Sequence, residues 1–189
     1  YTQSYVLPFL IPMLENAGAY VIDPRERDIQ KYEVIADNDP SFSGPRELPM
    51  RQKGSYTESG DWHVAGEGFA DCKSAYLLED NPFASGTARQ TGCVQGDGNA
   101  KARWSFNVPE RGQYAVYVSY KSFSNSTENA HYVVRHAGGE TEYLVNQRMG
   151  GGTWVYLGTF TFSPDGGSVT LDNGTHGGAG FSEGKTVSA

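Results

Sequence analysis

Few residues of this chain have the type and spacing that chemistry needs. The histidines are His63, His131, His136 and His176. They form no His-Glu-x-x-His pair, and no Cys-x-x-Cys accompanies them, so no metal motif is legible. His131 and His136 are five positions apart, and on one strand that spacing sends them to opposite faces. Both read as structural or exposed. His63 and His176 fall in turn-rich segments, where they could touch a ligand. Cys72 and Cys93 are too few for a disulfide framework or a four-thiolate zinc site. They could form one bridge, or be two buried thiols. No Gly-x-Ser-x-Gly elbow is present.

Carboxylates are plentiful between positions 55 and 80, namely Glu58, Asp61, Glu67, Asp71, Glu79 and Asp80. Paired carboxylates can hydrolyse glycosidic bonds. An acidic chain offers such pairs by chance, and these read as solvated loop groups. Asp97-Gly98-Asn99 and Asp165-Gly166-Gly167 could give oxygens to a structural calcium, and both equally make ordinary turns. Tyr56, His63 and Arg89 could be imagined as the base and charge neutraliser of a lyase, but nothing in their spacing requires it. No catalytic set and no resident cofactor are expected in this segment.

The aromatic residues are more suggestive. Trp62, Phe69, Tyr76, Trp104, Tyr117, Phe123, Tyr143, Trp154 and Tyr156 are more than a small sandwich needs inside. Exposed rings stack on the C–H faces of sugars while neighbouring polar groups bind hydroxyls. Trp62, between Asp61 and His63, is expected to be a platform in a loop. Tyr117 lies on the strand face opposite Tyr114, Val116 and Val118 and is expected to point outward. Trp62, His63, Tyr117 and Trp154 are therefore the candidate ligand-binding residues.

The elements that must hold these residues change character along the chain. Tyr5, Phe9, Met13 and Ala17 are spaced by four, which predicts a helix kinked at Pro8 or Pro12 and stopped at Gly18. Ala19–Ile22 then reads as a short strand. Residues 1–40 are an α/β fragment on this reading. Residues 41–54 carry Pro45, Pro49, Gly44 and Gly54 and read as a linker. From about 55 the period becomes two, with turns at short intervals. Strands are expected at 55–59, 76–78, 88–92, 102–108, 112–120, 130–136, 140–146, 154–162 and 168–172, and from about 186. Gly138-Gly139 signals a hairpin, and Asp165-Gly166-Gly167 a second. Many short strands without helices predict a mainly β fold, a jelly-roll sandwich over 55–189.

The chain has 189 residues and a net charge of −7, with 24 glycines and 9 prolines. No apolar run approaches the ~20 residues of a membrane helix. A nucleic-acid binder would need a basic patch, and none is visible. The chain opens at Tyr1 without a charged leader and stops at Ala189 within an expected strand. It is expected to be a piece of a longer protein.

The run from Ala102 to Ala189 resembles the golvesin C-terminal-like, or xanthan lyase carbohydrate-binding-like, domain. The likeness is carried by Trp104-Ser-Phe-Asn-Val-Pro109, Gly112-Gln-Tyr-Ala-Val-Tyr-Val118, Val134-Arg-His-Ala-Gly-Gly139, Val145-Asn-Gln147, Gly151-Gly-Thr-Trp-Val-Tyr-Leu-Gly-Thr-Phe160, Ser168-Val-Thr-Leu-Asp-Asn173 and Thr186-Val-Ser-Ala189. It implies a β-sandwich of the galactose-binding type. It also implies an accessory module of a secreted, periplasmic or cell-surface bacterial enzyme acting on polysaccharide or peptidoglycan, packed against the rest of that enzyme. No ligand residues carry over from it. Residues 1–40, through Leu14-Glu-Asn-Ala-Gly-Ala-Tyr-Val21 and Pro24-Arg-Glu-Arg-Asp28, resemble an internal piece of a zinc-dependent N-acetylmuramoyl-L-alanine amidase. That likeness implies a zinc site in the parent protein but outside this chain. It also leaves a second reading, in which the sandwich is a structural insert that binds no glycan.

Overall fold

The computed structural model describes residues 13, 17, 33–39, 51–69, 84–176 and 184–189, with backbone alone at 51–53 and 85. The chain divides into a unit at 1–33 and a unit at 34–189. In the first, Met13 is helical, and the Ala17 amide donates to its carbonyl at 3.1 Å, the bond of one α-turn. The expected strands at 19–22 and 76–78 lie outside the described residues.

The second unit is built from strands. They are β1 (Glu33–Ile35), β2 (Arg51–Lys53), β3 (Ser55–Ser59), β4 (His63–Phe69), β5 (Ala84–Gly92), β6 (Lys101–Phe106), β7 (Gly112–Val118), β8 (Ala130–His136), β9 (Gly139–Val145), β10 (Val155–Phe162), β11 (Gly167–Asp172) and β12 (Thr186–Ser188). Five form an antiparallel sheet in the order β3-β6-β11-β8-β9. The pair β10-β7 and the triplet β12-β5-β4 supply the other strands of the sandwich, and β1 pairs with β2.

Alternation decides which side chains meet. Along β7, Val116 and Val118 are buried while Ala115 and Tyr117 are exposed. Along β9, Thr141, Tyr143 and Val145 turn inward while Glu142 and Leu144 turn out. The core joins Ala102, Tyr132, Val134, Val169 and Leu171 of the five-stranded sheet to Val116, Val118, Leu157, Phe162 and Val187 of the other strands. Phe162 closes it through edge-on contacts with Phe106 at 5.1 Å and Tyr114 at 6.2 Å.

Two of these elements correct the expectations from sequence. Strand β4 replaces a ligand loop. Its run His63-Val-Ala-Gly-Glu-Gly-Phe69 hides its period because the pairing with β5 slips on both sides of Glu67, and Gly66 has φ +93°. The Asp165–Gly167 turn is no hairpin. It carries the chain from β10, paired with β7, to β11, which pairs with β6 and β8 in the other sheet. The Gly138-Gly139 hairpin is present, with His136 opposite Gly139.

Buried polar groups lock the sheets together. Gln147, wholly buried, donates from Nε2 to the Tyr132 hydroxyl at 2.9 Å and to the Ser188 carbonyl at 2.8 Å. Its Oε1 accepts from the Ser188 amide at 2.8 Å. The last strand is thus stapled to β8 through one amide. Asn173 plays the same part at the end of β11. Its Oδ1 accepts from the Asn99 and Ala100 amides, each at 2.9 Å, and its Nδ2 donates to the Gly92 carbonyl at 2.7 Å. A Cβ on Gly174 would collide with the Gly96 carbonyl, so the 96–99 turn requires glycine there. Unpaired buried polar groups cost on the order of 1–3 kcal/mol each. Gln147→Ala is expected to destabilise the domain by about 3 kcal/mol, read as a lowered urea midpoint with unchanged slope. Gln147→Glu is expected to be at least as damaging, because it adds a buried charge.

Candidate functional site

Tyr117 on β7 and Tyr156 on β10 are direct cross-strand partners. Their rings lie 5.3 Å apart at an interplanar angle of 51°. They are 50% and 54% exposed, so the pair faces solvent. Trp154, 41% exposed, precedes Tyr156 by two positions, and its ring meets the edge of Phe69 at 5.5 Å. Trp154 lies immediately before β10. The Tyr156 hydroxyl is 2.8 Å from the Thr159 hydroxyl, which fixes one ring beside a polar group. The outer face of β7-β10 is therefore an exposed aromatic surface that also presents hydroxyls.

The candidate residues from sequence divide at this surface. Tyr117 is on it, and Trp154 is exposed just ahead of β10, against Phe69 of β4. His63 is exposed at the start of β4, opposite Gln90 of β5. Trp62 is 8% exposed and belongs to the core, with its Nε1 donating to the Ser59 carbonyl at 3.1 Å. Gly60, with φ +86°, turns the chain after β3 so that the indole folds inward. Trp62 is thus no platform, because its ring has no face to offer. Tyr156, rather than Trp62, is the exposed ring beside Tyr117.

A second cluster joins the edge of the five-stranded sheet to β5. Arg89 grips Glu58 with two bonds, Nε to Oε1 at 2.7 Å and Nη2 to Oε2 at 2.8 Å. Its Nη2 also donates to the Trp62 carbonyl at 3.1 Å. The Tyr56 hydroxyl donates to Glu58 at 2.6 Å. Burial opposes the charge of Glu58, but the bonds from Arg89 and Tyr56 outweigh it and hold its carboxyl below the ordinary range. Burial, then the bond to Glu58, pushes the Tyr56 phenol far above its usual value. Tyr56 is thereby held protonated and the Arg89 charge is spent on Glu58. Neither is free to serve as a lyase base or charge neutraliser.

A third cluster lies on the outer face of the five-stranded sheet. His131 of β8 and Asp172 of β11 are register partners. His131 Nδ1 is 2.7 Å from Asp172 Oδ2, and His176 Nε2 is 2.8 Å from Asp172 Oδ1. The imidazoles stack at 3.7 Å. Burial raises the Asp172 carboxyl, but bonds from His131, the Gly174 amide and His176 outweigh it and hold it below the ordinary range. These three side chains could hold a metal ion. Of the two turns considered for calcium, Asp97–Asn99 packs against Asp172–Gly174, with Asn99 Oδ1 accepting from Asn173 at 2.9 Å, and both Asp97 and Asp165 are exposed. Cys93 is a half-buried free thiol, and Cys72 lies outside the described residues.

The family profile described as the golvesin C-terminal domain matches residues 50–179. The chain belongs to the golvesin C-terminal domain family. The sequence is similar to xanthan lyase of Bacillus sp. (strain GL1), with 30% identity over 153 residues, which are 80% of this chain and 14% of that protein. A solved structure of Paenibacillus xanthan lyase superposes with a TM-score of 0.52 and 26% identity, over 71% of this chain and 11% of the other. The golvesin-type chain thus spans a small part of either relative. Neither of these relatives is an amidase, so they do not support the amidase likeness of residues 1–40.

In this golvesin-type domain, Tyr156 escapes the sequence pattern for a reason visible in β10. Simple alternation would put it on the face of Phe160 and Phe162, inside. The pairing shifts between Tyr156 and Gly158, so one extra residue reverses the facing. The His131–Asp172–His176 cluster escapes because the three are adjacent only through strand register and the turn that follows β11. The Glu58–Arg89 pair yields a test. A depressed carboxyl stabilises the fold above its unfolded-state value and loses that contribution as pH falls through the folded-state value. Glu58→Gln is expected to cost about 2 kcal/mol at pH 7, and the gap from the unmodified protein should close below about pH 4.5. Urea titrations at several pH values measure it.

Proposed function

We propose that this domain is a non-catalytic accessory module of a polysaccharide-degrading enzyme, and that it holds an extended glycan on the Tyr117–Tyr156–Trp154 face. The observation that carries the reading is the exposed cross-strand tyrosine pair, with rings 5.3 Å apart and Trp154 on the same strand end. An exposed pair of large rings fixed by sheet pairing has little side-chain entropy left to lose on binding. Sugar C–H faces stack on such rings, and hydroxyls such as that of Thr159 take the polar edge. The similarity to two xanthan lyases supports a parent enzyme that acts on polysaccharide, and with it an exported location. A shallow site of this kind raises the local concentration of substrate for a linked catalytic domain.

The test is affinity electrophoresis of the protein in gels containing xanthan, peptidoglycan fragments or neutral glycans. One polymer should retard it. Each ring contributes on the order of 1 kcal/mol, so Tyr117→Ala or Tyr156→Ala should weaken retention roughly fivefold. The double variant should run as in a plain gel with its urea midpoint little changed. His63→Ala, on a different strand pair, should leave retention intact. Retention undiminished in the double variant would refute the assignment to this face.

A further inference from the structure

We infer that His131, Asp172 and His176 form a binding site for one divalent transition-metal ion of the zinc class. The inference rests on the opposite sheet from the aromatic face and stands apart from the glycan reading. His131 Nδ1, an Asp172 carboxylate oxygen and His176 Nε2 all lie within 4.8 Å of one another. An ion bound about 2 Å from each ligand atom needs those atoms within about 4 Å of one another, and the Asp172 oxygens meet that limit at 2.7 Å from His131 Nδ1 and 2.8 Å from His176 Nε2. Two imidazoles and one carboxylate suit zinc, cobalt or nickel, whereas calcium and magnesium prefer all-oxygen shells.

The three side chains are held close together, and one of the two stacked imidazoles must turn for both in-plane lone pairs to converge on an ion. His131 and Asp172 are fixed by strand register, and Asp172 Oδ1 also accepts from the Gly174 amide at 2.9 Å. Asn173, anchored by its own amide, sets the turn that returns His176 over His131. Asp172 and His131 are buried, while the His176 side chain is about a quarter exposed, so His176 is the ligand that solvent reaches.

The second, independent observation is an orphaned atom. His131 Nε2 is buried and makes no hydrogen bond. The Glu142 carboxylate lies 3.5 Å from it, at ion-pair range. With Nδ1–H donated to Asp172, a neutral ring would present a bare Nε2 acceptor to that carboxylate, an unfavourable arrangement. A metal on Nδ1 forces the proton onto Nε2, where it faces Glu142. Metal-bound histidines commonly donate their second N–H to a carboxylate in this way. A doubly protonated ring would satisfy the same atom, and a metal titration separates the two.

The test uses the full chain without an affinity tag, stripped with EDTA and titrated calorimetrically with zinc chloride alone. One equivalent should bind saturably and raise the melting temperature. Cobalt in its place should give the visible absorption of a four-coordinate site. His176→Gln should abolish saturable binding, and Glu142→Gln should weaken it about tenfold. Nitrogen NMR of the unmodified protein, which needs no variant to fold, should show zinc on Nδ1 of His131 and Nε2 of His176. Absence of one-equivalent binding, or binding equal in His176→Gln, would overturn the inference.

Discussion

Leu157 is the extra residue in β10, and its position governs both faces of the second sheet. Between Tyr156 and Gly158 the ladder to β7 slips by one. Leu157 enters the core, and Phe162, two pleat repeats beyond Gly158, is wholly buried. Tyr156 and Trp154, on the near side of the slip, are left facing out beside Tyr117. Without the bulge either the phenylalanines or the tyrosine would sit on the wrong side. A β-bulge costs one ladder bond and re-aims every side chain beyond it. Here it joins a phenylalanine-rich core to an aromatic surface within one strand.

The remaining constraints are polar and sit where sheets meet. Gln147 ties the last strand to Tyr132, Asn173 ties the 96–99 turn to the end of β11, and Arg89 ties β5 to β3 through Glu58. Each is a side chain with several partners at well-formed distances. Such groups specify one arrangement of the sheets, since a slip in register would leave donors and acceptors buried and unpaired. They also explain why Tyr56 and Arg89, which have the residue types of a catalytic pair, are structural. Both donate to Glu58, and Arg89 also to the Trp62 carbonyl.

Much of this architecture was readable in the sequence. The clean period of Gln113–Val118, the glycine pair at 138 and 139 and the Trp104–Phe106 face lead directly to β7, the β8–β9 hairpin and β6. The outward turn of Tyr117 follows from the same period. What escaped did so where period two breaks. Glycines and two pairing slips disguise β4. The bulge at Leu157 hides Tyr156. A positive-φ glycine at position 60 folds Trp62 inward, although its polar neighbours suggest a surface loop. The His131–Asp172–His176 cluster depends on strand register, which a local pattern does not contain.

The most direct measurement is an amide NMR titration of the isotope-labelled protein with xanthan-derived oligosaccharides. The account predicts shifts concentrated at Tyr117, Trp154, Tyr156 and their strand neighbours on β7 and β10, saturating with ligand, and little change on the five-stranded sheet. Saturating shifts confined to the outer face of β3-β6-β11-β8-β9, with the β7-β10 face silent, would contradict it.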